Sequence, residues 1–114
     1  MKPEHLEAND YRRHNPRFQE GNIDQNLRLR QRLEQIAGEK GITVAQLSLA
    51  WLLHQGEDIV PIPGTKRIKY LEQNVAAVNV RLTADDLRRI DEAAPAGAFV
   101  GARYVPEALA RVYK

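Results

Sequence analysis

The residues best suited to chemistry form one short run, in which Gly64, Thr65, Lys66 and Arg67 follow the apolar residues 59–63. Glycine lets a ligand approach the backbone closely, the threonine offers a hydroxyl, and the two cations add charge. A helical apolar pattern begins directly afterwards, and the free N–H groups at a helix start favour an anion. The run predicts a phosphate-binding loop, although so short a match is equally typical of a helix start with solvated cations.

Two amide side chains, Gln73 and Asn74, follow one to two helical turns later. Their position places them beside the same N-terminal half of the predicted helix. Side-chain amides both donate and accept hydrogen bonds, which suits the edge of a nucleobase. The spacing therefore adds a base contact to the predicted phosphate contact.

Metal chemistry is not indicated elsewhere in the sequence. Asp85 and Asp86 are adjacent carboxylates, but they fall in the first turn of a helix capped by Thr83, where acids interact favourably with the helix dipole. The three histidines do not show metal-ligand spacing. We predict no metal site.

The remaining candidates have structural interpretations. Trp51 lies on an apolar helix face and is predicted to be a core residue, and His54 closes the same face as a partly buried terminal residue. The basic residues 12–14 are typical of a solvated loop, with contact to a cofactor phosphate as the alternative.

Composition narrows the function classes. The chain has 114 residues, a net charge of +2 and no cysteine, which excludes disulfides, thiolate metal sites and cysteine catalysis. Positive and negative residues are too nearly balanced for the net charge alone to indicate binding to nucleic acid. The start of the sequence is polar, and no segment approaches the roughly 18 apolar residues of a membrane span, so we expect no membrane partner and a cytoplasmic location.

The organisation predicted from the pattern has four parts. Residues 1–22 are expected to form an irregular loop and 23–56 two helices, followed by strand, helix and helix over 57–94. Residues 95–114 form a tail with a short helical turn at 106–112.

Start and stop signals mark the helices. The first helix is predicted at 24–39, with Gly41 placed to end it. Thr43 and Gln46 form a capping box for the second helix, and Thr83 caps the fourth in the same arrangement. The third helix is predicted at 67–77.

A single strand is predicted at 59–63, and it creates a difficulty. Successive apolar residues suit a strand buried on both faces of a parallel sheet, while Pro61 and Pro63 place it at an edge or make it irregular. A lone buried strand leaves its backbone groups unsatisfied. Helix, strand and helix in this order indicate a slice of an alternating α/β fold, whose other strands come from another chain or from sequence no longer attached.

Several stretches, taken in order, resemble the C-terminal part of the aldo-keto reductases, which are NADPH-dependent (β/α)8-barrel enzymes that reduce aldehydes and ketones. They are residues 43–56, 59–67 and 71–74, joined by 15–18 and 101–104, which resemble one bacterial and fungal branch of the family. The resemblance covers nearly the whole chain. It implies the α/β class and the C-terminal portion of a TIM barrel, incomplete, with the predicted strand as its eighth.

The resemblance also assigns the site. Thr65, Lys66 and Arg67 fall where the family holds the adenosine 2′-phosphate, and Gln73 and Asn74 fall where it contacts the adenine. The implied cofactor is NADPH, and its implied binding residues are Gly64, Thr65, Lys66, Arg67, Gln73 and Asn74. Many relatives carry arginine at the position of Tyr70, so here the charge must come from the two cations of the loop.

No catalytic residue is assigned. The family's catalytic aspartate, tyrosine, lysine and histidine lie on early strands, and this sequence is expected to begin after them. The tyrosines and histidines present do not match them: Tyr11, Tyr70, Tyr104, Tyr113, His5, His14 and His54. We expect the parent enzyme to reduce a small carbonyl compound, and the isolated chain to be inactive and to bind NADPH weakly or not at all.

Two other functions remain open at this point. The second and third helices loosely imitate a helix-turn-helix, with residues 66–69 as a basic recognition segment, but such turns span about 3–4 residues and this connector is longer. Alternatively, the chain is an assembly piece that self-associates through its unpaired strand and apolar helix faces.

Overall fold

The computed structural model describes residues 3–112, and within that range the chain is helical. The α-helices are α1 (Asn22–Glu39), α2 (Val44–Leu53), α3 (Ile68–Ala76), α4 (Ala84–Ala93) and α5 (Pro106–Val112). Short 3₁₀ turns form at Pro3–His5, Tyr11–His14, Pro16–Phe18 and Ala77–Asn79. Among the described helices, none has the length and apolar character needed to cross a membrane. The polar start at Met1 and Lys2, and Tyr113, lie outside the described residues.

The chain divides into two compact units. One combines the residues up to Leu29 with those from Ala96 onwards, and the other is Arg30–Pro95. The second unit contains most of the buried side chains. Its core cluster consists of Ile36, Ala37, Leu47, Ala50, Leu82 and Ile90, with seven partly buried apolar neighbours that include Trp51. Burying each large aliphatic side chain contributes about 1.5–3 kcal/mol, so this cluster holds α1, α2 and α4 together.

The predicted helix signals are confirmed. Gly41 adopts a φ of +68°, and the N–H of Ile42 donates to the carbonyl of Ala37 across the end of α1. This left-handed turn closes the helix as glycine does after many helices. The Thr43 and Gln46 side chains form the expected box at the start of α2, and Thr83 caps α4.

The strand predicted at 59–63 is not formed, and the interpretation of it as buried on both faces was wrong. These residues have no regular structure, and no strand occurs anywhere in residues 3–112. Val60 and Ile62 are 81% and 93% exposed, whereas Ile59 and Pro61 are half-buried. A strand requires neighbouring backbone to complete its ladder. The described chain supplies no neighbouring strand, and Pro61 has no N–H to donate.

The first unit joins two segments that are far apart in sequence. The side-chain amide of Asn15 donates to the carbonyl of Arg103 at 3.0 Å, and Asn26 exchanges two hydrogen bonds with the backbone of Val100. Gly101 adopts a φ of +93°, with the backbone of Arg17 close to its α-carbon. The two segments 15–18 and 101–104, which resemble one branch of the family, therefore contact each other.

Candidate functional site

The loop at 64–67 is an exposed turn that leads into α3. Its hydroxyl closes the turn, because Thr65 Oγ1 accepts from the N–H of Arg67 at 3.3 Å and donates to the carbonyl of the same residue at 3.1 Å. Arg67 is the extended N-cap residue of α3, with φ −126° and ψ 135°. Thr65 thus orders the segment that carries both cations to the start of the helix.

An open cleft of about 1230 Å³ lies beside this loop, within the second unit. We call it the α1–α3 cleft, and its lining includes every residue that was assigned to the cofactor from the sequence: Gly64, Thr65, Lys66, Arg67, Gln73 and Asn74. The loop residues are exposed, whereas Gln73 and Asn74 are half-buried. The structure therefore brings the predicted phosphate-type and amide-type groups to one cavity.

Gln46 ties α2 to α3 at this cleft. Its side-chain oxygen accepts from the N–H of Thr43 at 3.1 Å, and its side-chain nitrogen donates to the carbonyl of Gln73 at 3.0 Å. One glutamine therefore completes the cap of α2 and fixes the backbone of α3 at the residue that lines the cleft. The capping box was readable from the sequence, but its second use depends on tertiary placement.

Positive charge dominates the loop side of the cleft. Lys66 and Arg67 are both exposed and line it together with Tyr70. Lys69 lies over the ring of Tyr70, with its Nζ 5.9 Å from the ring centre. A tyrosine at this position contributes a ring surface and a hydroxyl but no charge, so the loop's charge is carried by the two cations.

The other residues of the cleft were missed from the sequence. Arg30, Glu34 and Gly38 of α1 line it, and so does the start of α2 over 43–45. An arginine and a glutamate four residues apart are common on solvated helices, so this pair has no sequence signature that would indicate a cavity. Only the packing of the C-terminal part of α1, from Arg30 onwards, within the second unit reveals it.

His54 has a structural role. Its Nδ1 lies 2.7 Å from the carbonyl of Ala50, and its Nε2 accepts from the N–H of Leu82 at 3.4 Å. This pattern assigns the proton to Nδ1, and His54 is the C-cap residue of α2. Both nitrogens bond the backbone, so the interpretation of His54 as a terminal residue of the helix is confirmed, but the residue is exposed and not partly buried as predicted.

The adjacent acids of α4 also serve the fold. Asp86 completes the cap with Thr83 and pairs with Lys40 at 2.6 Å, and the Lys40 ammonium is the main cause of the lowered pKa of the Asp86 carboxyl. Asp85 pairs with Arg88 at 2.6 Å. Within the described part of the chain, no cluster of side chains has the composition of a metal site.

The basic run at 12–14 makes contacts inside its own unit. The Arg12 guanidinium bonds the carboxylate of Asp10 at 2.6 Å and holds the pKa of that carboxyl down to about 2. Arg13 donates to the carbonyl of Glu7 at 2.8 Å and also to that of Leu6. These bonds fix the 3₁₀ turn that carries the run.

Comparison with known proteins identifies a family. The sequence profile described as the aldo/keto reductase family matches residues 2–95. The chain is 47% identical over 97% of its length to aldo-keto reductase yakc of Schizosaccharomyces pombe, whose name includes NADP(+), and it covers 33% of that protein. It is 48% identical over 89% of its length to probable aldo-keto reductase 1 of Glycine max, covering 29%. The chain thus spans about a third of the length of these relatives.

Proposed function

The chain belongs to the aldo/keto reductase family, and from that premise we propose that it is the part of an NADPH-dependent carbonyl reductase that holds the adenosine phosphate of the cofactor. The observation that carries the proposal is the α1–α3 cleft, which gathers all six residues assigned from the sequence. The relative whose name includes NADP(+) supports the choice of cofactor.

The residues of the cleft suit the adenosine end of NADPH. Lys66 and Arg67 would hold the 2′-phosphate, with the Thr65 hydroxyl beside them, and Gln73 and Asn74 would contact the base. Cationic side chains bind phosphate through charge-assisted hydrogen bonds, and an exposed loop leaves them free to reorganise around it. The cleft of about 1230 Å³ accommodates this half of a dinucleotide.

NADPH supplies the hydride for the carbonyl when it is bound, and this chain's own residues bind and orient one end of it. We propose that the proton donor and its neighbours belong to the part of the family fold that this chain does not match. The purified chain should therefore give no turnover with NADPH and small aldehydes or ketones. Clear NADPH-dependent turnover by the unaltered chain would contradict this division of roles.

The fold proposal is the C-terminal portion of a (β/α)8 barrel, with residues 59–63 at the position of a strand. Its support is the family match together with the exposure of the apolar side chains Val60 and Ile62. In a barrel, every strand is paired on both sides and parallel strands are buried. Side chains that are exposed in this chain would then be covered by the interior and the outer helices of the complete barrel.

Isothermal calorimetry with NADPH and NADH tests the cofactor assignment. We expect weak binding that favours NADPH, because only NADPH carries the 2′-phosphate. Replacing both Lys66 and Arg67 by alanine should remove the preference while leaving the fold intact, since both side chains are exposed. Arg81→Ala, an exposed arginine outside the cleft lining, is the matched control. Equal affinity for the two cofactors would refute the assignment.

Self-association is a second candidate property, favoured by one surface. We define the exposed apolar face as six side chains between 51% and 93% exposed: Val60, Ile62, Ile68, Leu71, Val75 and Val78. Three of them line a shallow groove in the second unit with Pro61 and Pro63. Exposed apolar side chains in this number are typical of an interface. We propose that copies of the isolated chain cover it by associating.

The helix-turn-helix alternative is not favoured. The connector between the end of α2 at Leu53 and the start of α3 at Ile68 is residues 54–67, which is fourteen residues. A helix-turn-helix joins its helices through about 3–4 residues. The cations of the loop are accordingly assigned to a small phosphate ligand.

A further inference from the structure

One face of α1 forms a wall of the cleft that the family comparison does not assign. Arg30, Glu34 and Gly38 are spaced four residues apart, so they lie above one another on the helix. All three line the same cavity as Lys66 and Arg67. The cleft therefore holds a third cation and a carboxylate that come from a different helix.

The Arg30 guanidinium forms an ion pair with Glu34 that a bound anion could replace. Its Nη2 lies 2.7 Å from Glu34 Oε1, and the two side chains are 55% and 40% exposed. A solvated pair at this spacing contributes little to stability, so separating it costs little. Arginine binds phosphate in a bidentate manner, and a dianionic phosphate in the cleft competes well with one carboxylate.

Gly38 lies one turn further along this wall and has no side chain to cover the helix backbone. Its backbone is not in the left-handed region, and a β-carbon built on it meets nothing within 4 Å. Glycine is a poor helix former, and neither backbone conformation nor packing requires it here. A ligand that lies along this turn would therefore contact the backbone of α1 at Gly38 and the guanidinium of Arg30.

We propose that Arg30 is a further determinant of 2′-phosphate specificity, and that it leaves Glu34 to bind that phosphate together with the loop cations. Glu34 then lowers the affinity for the phosphate, because it competes for the guanidinium and repels the anion. This inference rests on the proposed function, since it adds a residue to the same cofactor site.

Adenosine 2′,5′-bisphosphate and 5′-AMP separate the contribution of the 2′-phosphate, with affinities measured on the full chain by NMR titration. Arg30→Ala should weaken the bisphosphate about tenfold or more, the effect of losing a charged hydrogen bond, and change 5′-AMP by less than about twofold. Glu34→Gln should strengthen the bisphosphate about twofold. Arg32→Ala is the control, because Arg32 points about 200° away around the helix and does not line the cleft.

The opposite signs distinguish binding from helix stability. If the Arg30–Glu34 pair only stabilised α1, the two variants would change the affinity in the same direction, and the inference would be overturned. If Lys66→Ala weakened binding of the bisphosphate while Arg30→Ala did not, the inference about Arg30 would be refuted and the proposed function would stand. Absence of any bisphosphate binding by the unaltered chain would instead refute the proposed function together with the inference.

Discussion

Asp86 shows how a single carboxylate contributes to the fold twice. Its Oδ2 accepts from the N–H of Thr83 at 2.9 Å and pairs with the Lys40 ammonium at 2.6 Å. Both contacts favour the charged form, so the pKa of Asp86 lies below its ordinary value of 3.8. The carboxylate therefore stabilises the start of α4 and its link to the end of α1.

The stability that Asp86 contributes depends on pH. Because its pKa is lowered in the folded chain, the contribution is complete above the unfolded value of 3.8 and is lost as the pH falls through the folded value. We expect Asp86→Asn to lower the melting temperature at pH 7 and to flatten its decline below about pH 4. Circular dichroism melts between pH 7 and 2 measure both effects.

Removal of the cation provides the second arm of that test. Lys40→Met leaves the cap with Thr83 in place but removes the ion pair, so the decline at low pH should again be shallower than in the unaltered chain. Parallel declines in all three proteins would show that Asp86 does not couple folding to protons.

Gly101 is required for two physical reasons that can be separated. Its φ is +93°, and a β-carbon there would lie 2.8 Å from the backbone of Arg17. Gly97 shares the positive φ, at +78°, but has open space around it. Gly97→Ala should cost about 1–2 kcal/mol for the backbone conformation alone.

Gly101→Ala should destabilise the chain by clearly more than Gly97→Ala, because the backbone of the opposing segment must also move. Urea unfolding gives the two free energies. Equal losses would mean that the close approach to Arg17 carries no energetic weight, and that residues 15–18 and 101–104 are held by hydrogen bonds alone.

At the level of residues, the sequence identified local roles better than distant ones. The cap formed by Thr83 and the place of Asp86 in the first turn depend on neighbours within three residues, and they were predictable. The ion pair of Asp86 with Lys40 depends on how α4 packs against α1. The presence of Arg30 in the cleft depends on tertiary packing in the same way, and its pairing with Glu34 has no distinctive pattern.

Among the elements, α2 and α3 are linked beside the cleft by one side chain. Gln46 completes the cap of α2 and donates to the carbonyl of Gln73. Glutamate at this position retains the oxygen that accepts from Thr43 but has no N–H for α3. Gln46→Glu should therefore keep α2 capped while α3 loses one hydrogen bond, at a cost of about 0.5–1.5 kcal/mol.

Hydrogen exchange followed by NMR reports on the two helices separately. In Gln46→Glu, amides of α3 should exchange faster and those of α2 should change little. Gln55→Glu is the control, since Gln55 is exposed and bonds only the carbonyl of Trp51 within its own helix end. Uniformly faster exchange in both helices would mean that the substitution damages the cap itself.

The elements that were predictable are those whose signals are local. Helix boundaries at Gly41, Thr43 and Thr83 follow from backbone groups that are satisfied within a few residues. The segment at 59–63 has the composition of a buried strand, but its burial and pairing depend on residues outside the segment. The composition of the segment indicates that it suits the interior of a parallel sheet. The described structure contains no strand that could form such a sheet with it.

At the scale of the whole molecule, the exposed apolar face predicts concentration-dependent association. Val60→Lys combined with Ile62→Lys should convert associating chains to monomers, because two charges would be buried at the interface. Both side chains are more than 80% exposed, so folding should be retained. Multi-angle light scattering with a thermal melt measures mass and folding together. Phe99→Lys, which alters an exposed apolar side chain in the other unit, is the control.

A monomer at all concentrations, with a cooperative melt, would contradict association through this face. A variant that remains associated while Phe99→Lys becomes monomeric would place the interface in the other unit.

Chemical-shift mapping of NADPH on the labelled chain tests the central claim most directly, because it locates the contact residue by residue and detects weak binding. We predict saturable shifts at Gly64–Arg67, Gln73 and Asn74, with smaller shifts on titration with NADH because it lacks the 2′-phosphate. Shifts confined to residues outside the α1–α3 cleft, or an identical response to both cofactors, would contradict the account.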